Sequence, residues 1–90
     1  MKVVWSPLAI DRVIQEGRYI AHDNPAAANA WVEDLFAKVS RLTAFPMSGR
    51  VVPERRRQDT REVIYKSHRI IYRVEASRLL VLTVRQARQR

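Results

Sequence analysis

The sequence predicts an α+β fold in which a short N-terminal strand is followed by an antiparallel helical hairpin packed on one face of a small antiparallel sheet. The chain has 90 residues, of which 47% are hydrophobic, and this is enough for one core and too little for two. Apolar residues recur at helical spacing as far as Leu42, and from Arg61 onward the apolar pattern changes to a period of two. We therefore interpret residues 1–90 as a single domain.

The first half of the chain carries two helix-start signals. Val3-Val4-Trp5 is a β-type run that ends at Ser6-Pro7, and serine followed by proline is typical of an N-cap and a first helical residue. Asn24-Pro25 repeats this signal after the first apolar stripe, and Phe45-Pro46 ends the second stripe. Because the turn around Asn24 is short, the two helices are expected to fold back on each other as a hairpin.

The second half predicts a loop followed by three strands. Residues 46–59 are rich in proline and arginine and read as a loop, and β-rich runs follow at residues 61–65, 69–74 and 79–85. Side-chain alternation predicts which residues face the helices: Ile70, Tyr72, Val74, Leu80, Leu82 and Val84. Arg69 and Arg85 then lie opposite each other on the far face, and this pairing requires a three-residue or bulged turn around Ala76-Ser77-Arg78.

The net charge of +8 is confined to the second half of the chain. Residues 1–45 have five basic and five acidic residues, whereas residues 46–90 have twelve basic residues, eleven of them arginine, and four acidic ones. Arginine binds phosphate and carboxylate groups through two parallel hydrogen bonds. This half of the chain is therefore expected to meet an acidic partner, either a nucleic acid or an acidic protein segment.

The composition also excludes several classes of function. Without cysteine, the chain has no disulfide, thiolate metal site or sulfur nucleophile. His22 and His68 are expected to lie too far apart for a metal site, so neither a metal nor a cofactor is expected. No apolar run approaches the roughly 20 residues that span a bilayer, and the N-terminus lacks the features of a secretory signal. The expected location is the cytoplasm, without a membrane partner.

Several short segments, in this order and at these intervals, resemble the ParE branch of the RelE/ParE superfamily of bacterial toxins. They are Pro46, Gly49-Arg50, Pro53-Glu54, Arg61-Glu62, the run from His68 to Val74, and the run from Leu82 to Arg88. The resemblance covers nearly the whole chain. It implies the toxic half of a type II toxin–antitoxin pair, neutralised by an antitoxin that binds through an acidic and apolar segment.

The resemblance leaves two activities open. Relatives similar to ParE poison DNA gyrase without being nucleases, whereas relatives similar to RelE cut messenger RNA in the ribosome. The resemblance places Glu54 as proton acceptor and Arg69 as phosphate contact of such a nuclease, with support from Arg85 or Arg88. The chain departs from the nuclease pattern at Gln86-Ala87, where a histidine is expected in those nucleases that use one.

We therefore expect a toxin that binds its target without catalysis, with gyrase as the favoured target. A surface of arginines is expected to carry this contact: Arg61, Arg69, Arg73, Arg85 and Arg88. The antitoxin is expected to lay apolar side chains into grooves beside the helical hairpin and over Ile71 and Val81, and to contact Trp31, although Trp5 and Trp31 also read as core residues. The alternatives are a ribosome-dependent endoribonuclease, in which Glu54, Arg69, Arg85 and Arg88 act, and a non-toxic nucleic-acid-binding module whose affinity falls steeply with salt.

Overall fold

The structure, a computed structural model that describes residues 1–87, has two helices packed on a five-stranded sheet. The elements in chain order are β1 (Lys2–Trp5), α1 (Pro7–Asp23), α2 (Pro25–Arg41), a 3₁₀ turn (Pro46–Ser48), β2 (Arg50–Val51), β3 (Thr60–Tyr65), β4 (His68–Val74) and β5 (Arg78–Gln86). The order of strands across the sheet is β1-β5-β4-β3-β2. The predicted α+β fold with its short N-terminal strand is confirmed.

Both predicted helix starts are capped as expected. The Ser6 hydroxyl accepts a hydrogen bond from the Ala9 N–H at 3.0 Å, and the Asn24 side-chain oxygen accepts one from the Ala27 N–H at 3.1 Å. Each cap satisfies a backbone donor that the first helical turn leaves free. Asn24 also ends α1, since its N–H donates to the Ile20 carbonyl, so one residue makes the whole turn of the hairpin.

The sheet combines a local meander with one long-range pairing. Strands β3, β4 and β5 are antiparallel neighbours, as predicted, whereas β1 lies parallel to β5 with Trp5 beside Val81. The segment predicted to be a loop contains the 3₁₀ turn and the two-residue strand β2, which pairs with β3. A parallel pairing across more than 70 residues leaves no local signal in the sequence.

The register of β5 differs from the prediction in its first half. Arg69 pairs with Arg85 and Ile70 with Val84, as expected, but the next pairs are Ile71 with Thr83 and Tyr72 with Val81. Leu82 is therefore an extra residue, and the expected bulge lies inside β5 rather than in the turn after β4. Consequently, Leu79 and Val81 face the helices in place of Leu80 and Leu82.

The core lies between the hairpin and the sheet. It is formed by buried residues of both layers, among them Ala9, Val13, Trp31, Leu35, Val39, Ile70, Tyr72, Leu79 and Val81. Trp31 is part of it, and Trp5 packs at its edge with its ring 4.9 Å from that of Phe36, so the core reading of both tryptophans is confirmed. Within residues 1–87, neither helix is long and apolar enough to cross a membrane.

Candidate functional site

Arg69 and Arg85 lie side by side on the face of the sheet that is turned away from the helices. They are direct cross-strand partners in the antiparallel pair of β4 and β5. Two guanidinium groups at this spacing repel each other unless carboxylates lie nearby. The structure supplies those carboxylates from β3 and from the loop before it.

Glu62 of β3 is the central carboxylate of this face, and the sequence-based prediction missed it. Glu62 is buried, with 2% of the residue exposed, and its carboxylate accepts hydrogen bonds from two arginines. The Arg50 Nε donates to Glu62 Oε2 at 2.6 Å, and the Arg69 Nε donates to Glu62 Oε1 at 3.0 Å. The two-residue turn between Tyr65 and His68 fixes Glu62 on the Arg69 face, so the hairpin register was the signal that could have revealed it.

Glu54 approaches Arg69 from the loop between β2 and β3. The Arg69 Nη2 donates to Glu54 Oε2 at 3.0 Å, while the Glu54 side chain stays 57% exposed. The hydrogen bond from Arg69 lowers the pKa of Glu54 below its ordinary value of 4.5, and the positive charge of Arg85 adds a smaller contribution. Glu62 and Glu54 in turn raise the pKa of Arg69, although its partial burial acts in the opposite direction. The arrangement is a connected chain of charges: Arg50, Glu62, Arg69 and Glu54.

The other predicted target-binding arginines are placed differently. Arg73 shares the far face with Arg69, and its Nε is buried without a hydrogen-bond partner. Arg61 pairs with Tyr72, so it lies on the helix side, where its guanidinium bonds to the carbonyl of Gly49 at 3.1 Å. The prediction that Arg61 lies on the far face was therefore wrong. Its guanidinium instead donates hydrogen bonds to the carbonyls of Met47 and Gly49, in and next to the 3₁₀ turn. Arg88 lies outside the described residues.

The three residues predicted to contact an antitoxin are all buried. Val81 has no exposed surface and belongs to the core, because the bulge at Leu82 turns it toward the helices. Ile71 does lie on the far face but is only 2% exposed, and Trp31 is buried in the core. The predicted surface position of Val81 was therefore wrong, and none of the three presents a side chain to a partner in this structure.

An apolar groove runs between the two helices, beside the hairpin where the antitoxin was expected to place apolar side chains. Its volume is about 560 Å³, and it is lined mainly by Trp5, Ile10, Val13, Ile14, Val32 and Phe36. Ile10, Ile14 and Phe36 are each close to half exposed, which is unusual for large apolar side chains on one continuous surface. The apolar stripe predicted for α1 therefore contributes to both the core and the groove. Val13 is buried in the core and also lines the groove, whereas Ile14 lines the groove and stays 45% exposed.

The residues of the far face do not form a metal site. Within residues 1–87 there is no cluster of three or more histidine, aspartate or glutamate residues that could hold an ion. Both carboxylates of the face are already engaged by arginine. Gln86, at the position where a nuclease histidine was considered, ends β5 and lies exposed.

Comparisons with known proteins agree with this architecture. The chromosomal ParDE toxin–antitoxin system from P. aeruginosa contains a chain with a TM-score of 0.77 and 18% identity, with 96% of this chain and 95% of that chain covered. A YoeB/ParE toxin from Agrobacterium tumefaciens has a TM-score of 0.65 and 22% identity over 96% of this chain and 98% of its own. A chain of the toxin–antitoxin complex RelBE2 from Mycobacterium tuberculosis has a TM-score of 0.60 and 20% identity, covering 94% and 95%. These likenesses show a shared fold.

Membership of a family comes from the sequence itself. Among curated proteins, no sequence matches this chain. The family model described as the ParE toxin of the type II toxin–antitoxin system parDE matches residues 3–90. The match includes both helices, all five strands and the charged face described above, so the chain belongs to the ParE toxin family of type II toxin–antitoxin systems.

Proposed function

We propose that this toxin inhibits bacterial growth by binding DNA gyrase in the cytoplasm, without catalysing a reaction of its own. The observation that carries the proposal is the set of hydrogen bonds made by the Arg69 guanidinium. Its guanidinium is bonded to both Glu62 and Glu54, so its hydrogen-bonding capacity is directed into the protein. Because its N–H groups already donate to carboxylates of the protein, Arg69 is better suited to forming part of a rigid charged surface than to stabilising a phosphate during cleavage.

The properties of Glu54 support binding over cleavage. A general base works best when its pKa lies near the pH of the reaction, and enzymes raise the pKa of a carboxylate for this purpose. Here Arg69 does the opposite and lowers the pKa of Glu54. Gln86 pairs with His68 and so lies on the helix side of β5, and its amide has no proton to transfer near neutral pH. Among the described residues of the far face, no proton donor is paired with Glu54.

The proposed target-binding surface is centred on Arg85. This residue is exposed, and in the part of the chain that the structure describes it forms no ion pair, whereas Arg69 beside it is neutralised. Arg73 extends the same face toward the opposite end of β4. An exposed guanidinium beside a rigid framework of salt bridges suits recognition of an acidic surface.

A gyrase supercoiling assay tests the proposal. We expect the purified toxin to inhibit supercoiling and the variant Arg85→Ala to require about tenfold more protein for the same inhibition. Arg41→Ala is the matched control, since Arg41 is an exposed arginine at the end of α2, away from this face, and this variant should inhibit like the parent protein. Unchanged supercoiling in the presence of the toxin would contradict gyrase as the target.

A ribosome-dependent endoribonuclease is the second candidate, and one observation favours it. Glu54, Arg69 and Arg85 do come together, with a carboxylate and a guanidinium 3.0 Å apart and the second arginine alongside. In a translating extract, cleavage of messenger RNA at ribosomes that disappears with Glu54→Gln, with supercoiling unaffected, would establish this activity in place of the first. DNA binding that falls steeply with salt, with no effect in either assay, would instead indicate a nucleic-acid-binding module.

We further propose that a cognate antitoxin occupies the apolar groove between the helices. Solved structures that share this fold include a chain of the ParDE toxin–antitoxin system and a chain of the RelBE2 toxin–antitoxin complex. Ile10, Ile14 and Phe36 offer a continuous apolar surface to such a partner. The antitoxin segment that fits here is an amphipathic helix with its apolar side facing the groove.

A further inference from the structure

One row of side chains on the far face is buried, although both helices pack on the opposite face of the sheet. Strand pairing aligns Glu62 of β3 with Ile71 of β4, and Ile71 with Thr83 of β5. These three residues are 2%, 2% and 7% exposed. Ile64 lies on the same face of β3 and is 50% exposed, so a position on this face does not by itself exclude solvent. Another part of the chain therefore covers the row from Glu62 to Thr83.

The segment between β2 and β3 crosses this face. It leaves the sheet at the edge formed by β2, and its Glu54 side chain reaches β4, where Arg69 Nη2 donates to Glu54 Oε2 at 3.0 Å. The next residue, Arg55, borders the same cavity as Thr83 of β5. The segment therefore extends from one edge of the sheet over β4 to β5 before it returns to β3. We name residues 53–57 the strap.

Both ends of the strap are fixed to the sheet. Val52 before it is 1% exposed, and Thr60 after it is fully buried. The carbonyl of Asp59 also accepts a backbone hydrogen bond from β4 at 2.7 Å. Among the described residues, the side-chain contact that joins the strap to a strand beneath it is the one between Glu54 and Arg69. Fixed ends and one central contact are the features of a loop that opens and closes about its ends.

The strap also contains a strained turn. The N–H groups of Arg55 and Arg56 both donate to the carbonyl of Val52, at 3.1 and 3.3 Å. Arg56 has a φ of 52°, in the left-handed region that favours glycine over residues with a Cβ atom. The closed position of the strap therefore has a conformational cost, and this cost favours opening when the contact between Glu54 and Arg69 is lost.

We infer that the strap is an autoinhibitory lid on the far face, and that Glu54 is the latch that holds it closed on Arg69. An exposed ion pair of this kind contributes little to folding, so the strap opens without unfolding of the sheet. Opening uncovers Ile71 and frees the Nη2 group of Arg69, while Glu62 still accepts from Arg69 Nε. The inference goes beyond the proposed function, because the latch is a contact within the toxin itself.

Paramagnetic relaxation of methyl signals by a neutral gadolinium chelate tests the strap on the toxin alone. Glu54→Lys places a positive charge beside Arg69, and should raise the relaxation enhancement of the Ile71 methyl groups about twofold or more. The methyl groups of Ile70, which are buried against the helices, should not change. Glu33→Lys makes the same change of charge at an exposed residue of α2, and should leave Ile71 protected.

Two results would overturn the inference. The first is an equal enhancement at Ile71 in Glu54→Lys and Glu33→Lys, because the strap would then not be held by Glu54. The second is an enhancement that rises at Ile70 as much as at Ile71, because this would show a general loosening of the sheet in place of an opening strap.

Inhibition of supercoiling measures the effect of the strap on target binding, and this step rests on gyrase as the target. Glu54→Gln removes the latch and should lower the toxin concentration for half-inhibition about twofold to fivefold, as expected for an exposed ion pair. Glu33→Gln removes the same charge from α2 and should inhibit like the parent toxin. Equal inhibition by Glu54→Gln and the parent toxin would overturn the autoinhibitory role. If none of the three proteins inhibits, gyrase is not the target, and the relaxation of Ile71 still decides whether Glu54 holds the strap closed.

Discussion

The buried carboxylate of Glu62 bridges Arg69 of β4 and Arg50 of β2, with 3.0 Å between Arg69 Nε and Glu62 Oε1. This contact lies on the face of the sheet that the distribution of charges in the sequence predicts to be basic. Because the Glu62 side chain has no access to solvent, its charge depends on these two arginines for compensation. Arg69 therefore has a structural role, which is to neutralise the buried Glu62 carboxylate within the sheet.

Replacing Glu62 by glutamine should destabilise the toxin. Glu62→Gln keeps the shape of the side chain but leaves Arg69, which is 16% exposed, with only the solvent-exposed carboxylate of Glu54 as an ionic partner. We expect the free energy of unfolding to fall by about 2 kcal/mol, less than for a fully buried pair because the Arg50 side chain reaches solvent. Urea denaturation followed by circular dichroism measures this loss as a lower midpoint with an unchanged slope.

Glu54→Gln is the matched control, since it removes the other carboxylate from the same guanidinium. Glu54 is exposed, and ion pairs in contact with water contribute little to folding. Its denaturation midpoint should stay close to that of the parent protein. Equal midpoints for Glu62→Gln and Glu54→Gln would contradict a structural role for the buried pair.

Folding stability should decrease only slightly as the pH falls below about 4.5, because the Glu54 and Asp59 side chains are both in contact with solvent. Hydrogen bonds from Arg69 and Arg57 lower the pKa of Glu54 below 4.5 and that of Asp59 below 3.8 in the folded chain. A lowered folded-state pKa gives a stabilisation that is present above the unfolded-state pKa and is lost as the pH falls through the folded-state value. NMR titration of the side-chain carboxyl carbons should give midpoints below 4.5 and 3.8 for these two residues.

Arg69→Lys isolates the origin of the effect on Glu54. Lysine keeps a positive charge beside Glu62 but lacks the planar fork that bonds to both carboxylates. The pKa of Glu54 should therefore rise toward 4.5 in this variant, while that of Asp59 stays lowered by Arg57. A Glu54 midpoint that is unchanged by Arg69→Lys would assign the shift to another cause.

Local signals in the sequence were enough to predict the helical hairpin and half of the register. Ser6 and Asn24 cap the helices as predicted, and the alternation through Arg69 and Ile70 placed Arg85 correctly. The run from Leu79 to Leu82 is apolar at every position, so it contains no alternation that could reveal the bulge at Leu82. For this reason Val81 was predicted to be on the surface and is in the core.

The candidate site was harder to predict, because its charges come from distant parts of the chain. Arg50 and Glu62 meet only through the pairing of β2 with β3, and β2 lies in a segment that reads as a loop. Arg61 could not be separated from Arg69 by composition, although the two lie on opposite faces of the sheet. The neutralisation of Arg69 therefore depends on the strand pairing of the folded sheet, and the number of charged residues in the sequence does not predict it.

The two glycines should respond in opposite ways to replacement by alanine. A Cβ atom at Gly49 would lie 2.5 Å from the Tyr72 hydroxyl and 2.6 Å from the Glu62 carbonyl oxygen, so Gly49→Ala should destabilise the chain by about 2 kcal/mol. At Gly17, within α1, the nearest atom would be a methyl group of Val32 at 3.7 Å. Gly17→Ala should therefore stabilise the chain by about 0.5 to 1 kcal/mol, because alanine favours the helix.

Thermal unfolding of both alanine variants checks this contrast. The Gly49 N–H also donates to the Tyr72 hydroxyl at 3.0 Å, and that hydroxyl donates to the Pro46 carbonyl, so a shift at Gly49 breaks the link between the 3₁₀ turn and β4. The melting temperature should fall for Gly49→Ala and rise for Gly17→Ala. A stable Gly49→Ala variant would mean that the segment from Pro46 to Arg50 moves freely relative to the sheet.

A charge placed in the groove between the helices should weaken antitoxin binding without unfolding the toxin. Ile14 is 45% exposed and lines the groove, so Ile14→Asp replaces an apolar contact with a carboxylate that must be desolvated when a partner binds. We expect the affinity for the cognate antitoxin to fall by about tenfold or more, measured by titration calorimetry. Tyr19→Asp adds the same charge to α1 at an exposed residue outside the groove, and should bind like the parent toxin. Equal affinity of both variants would place the antitoxin elsewhere on the molecule.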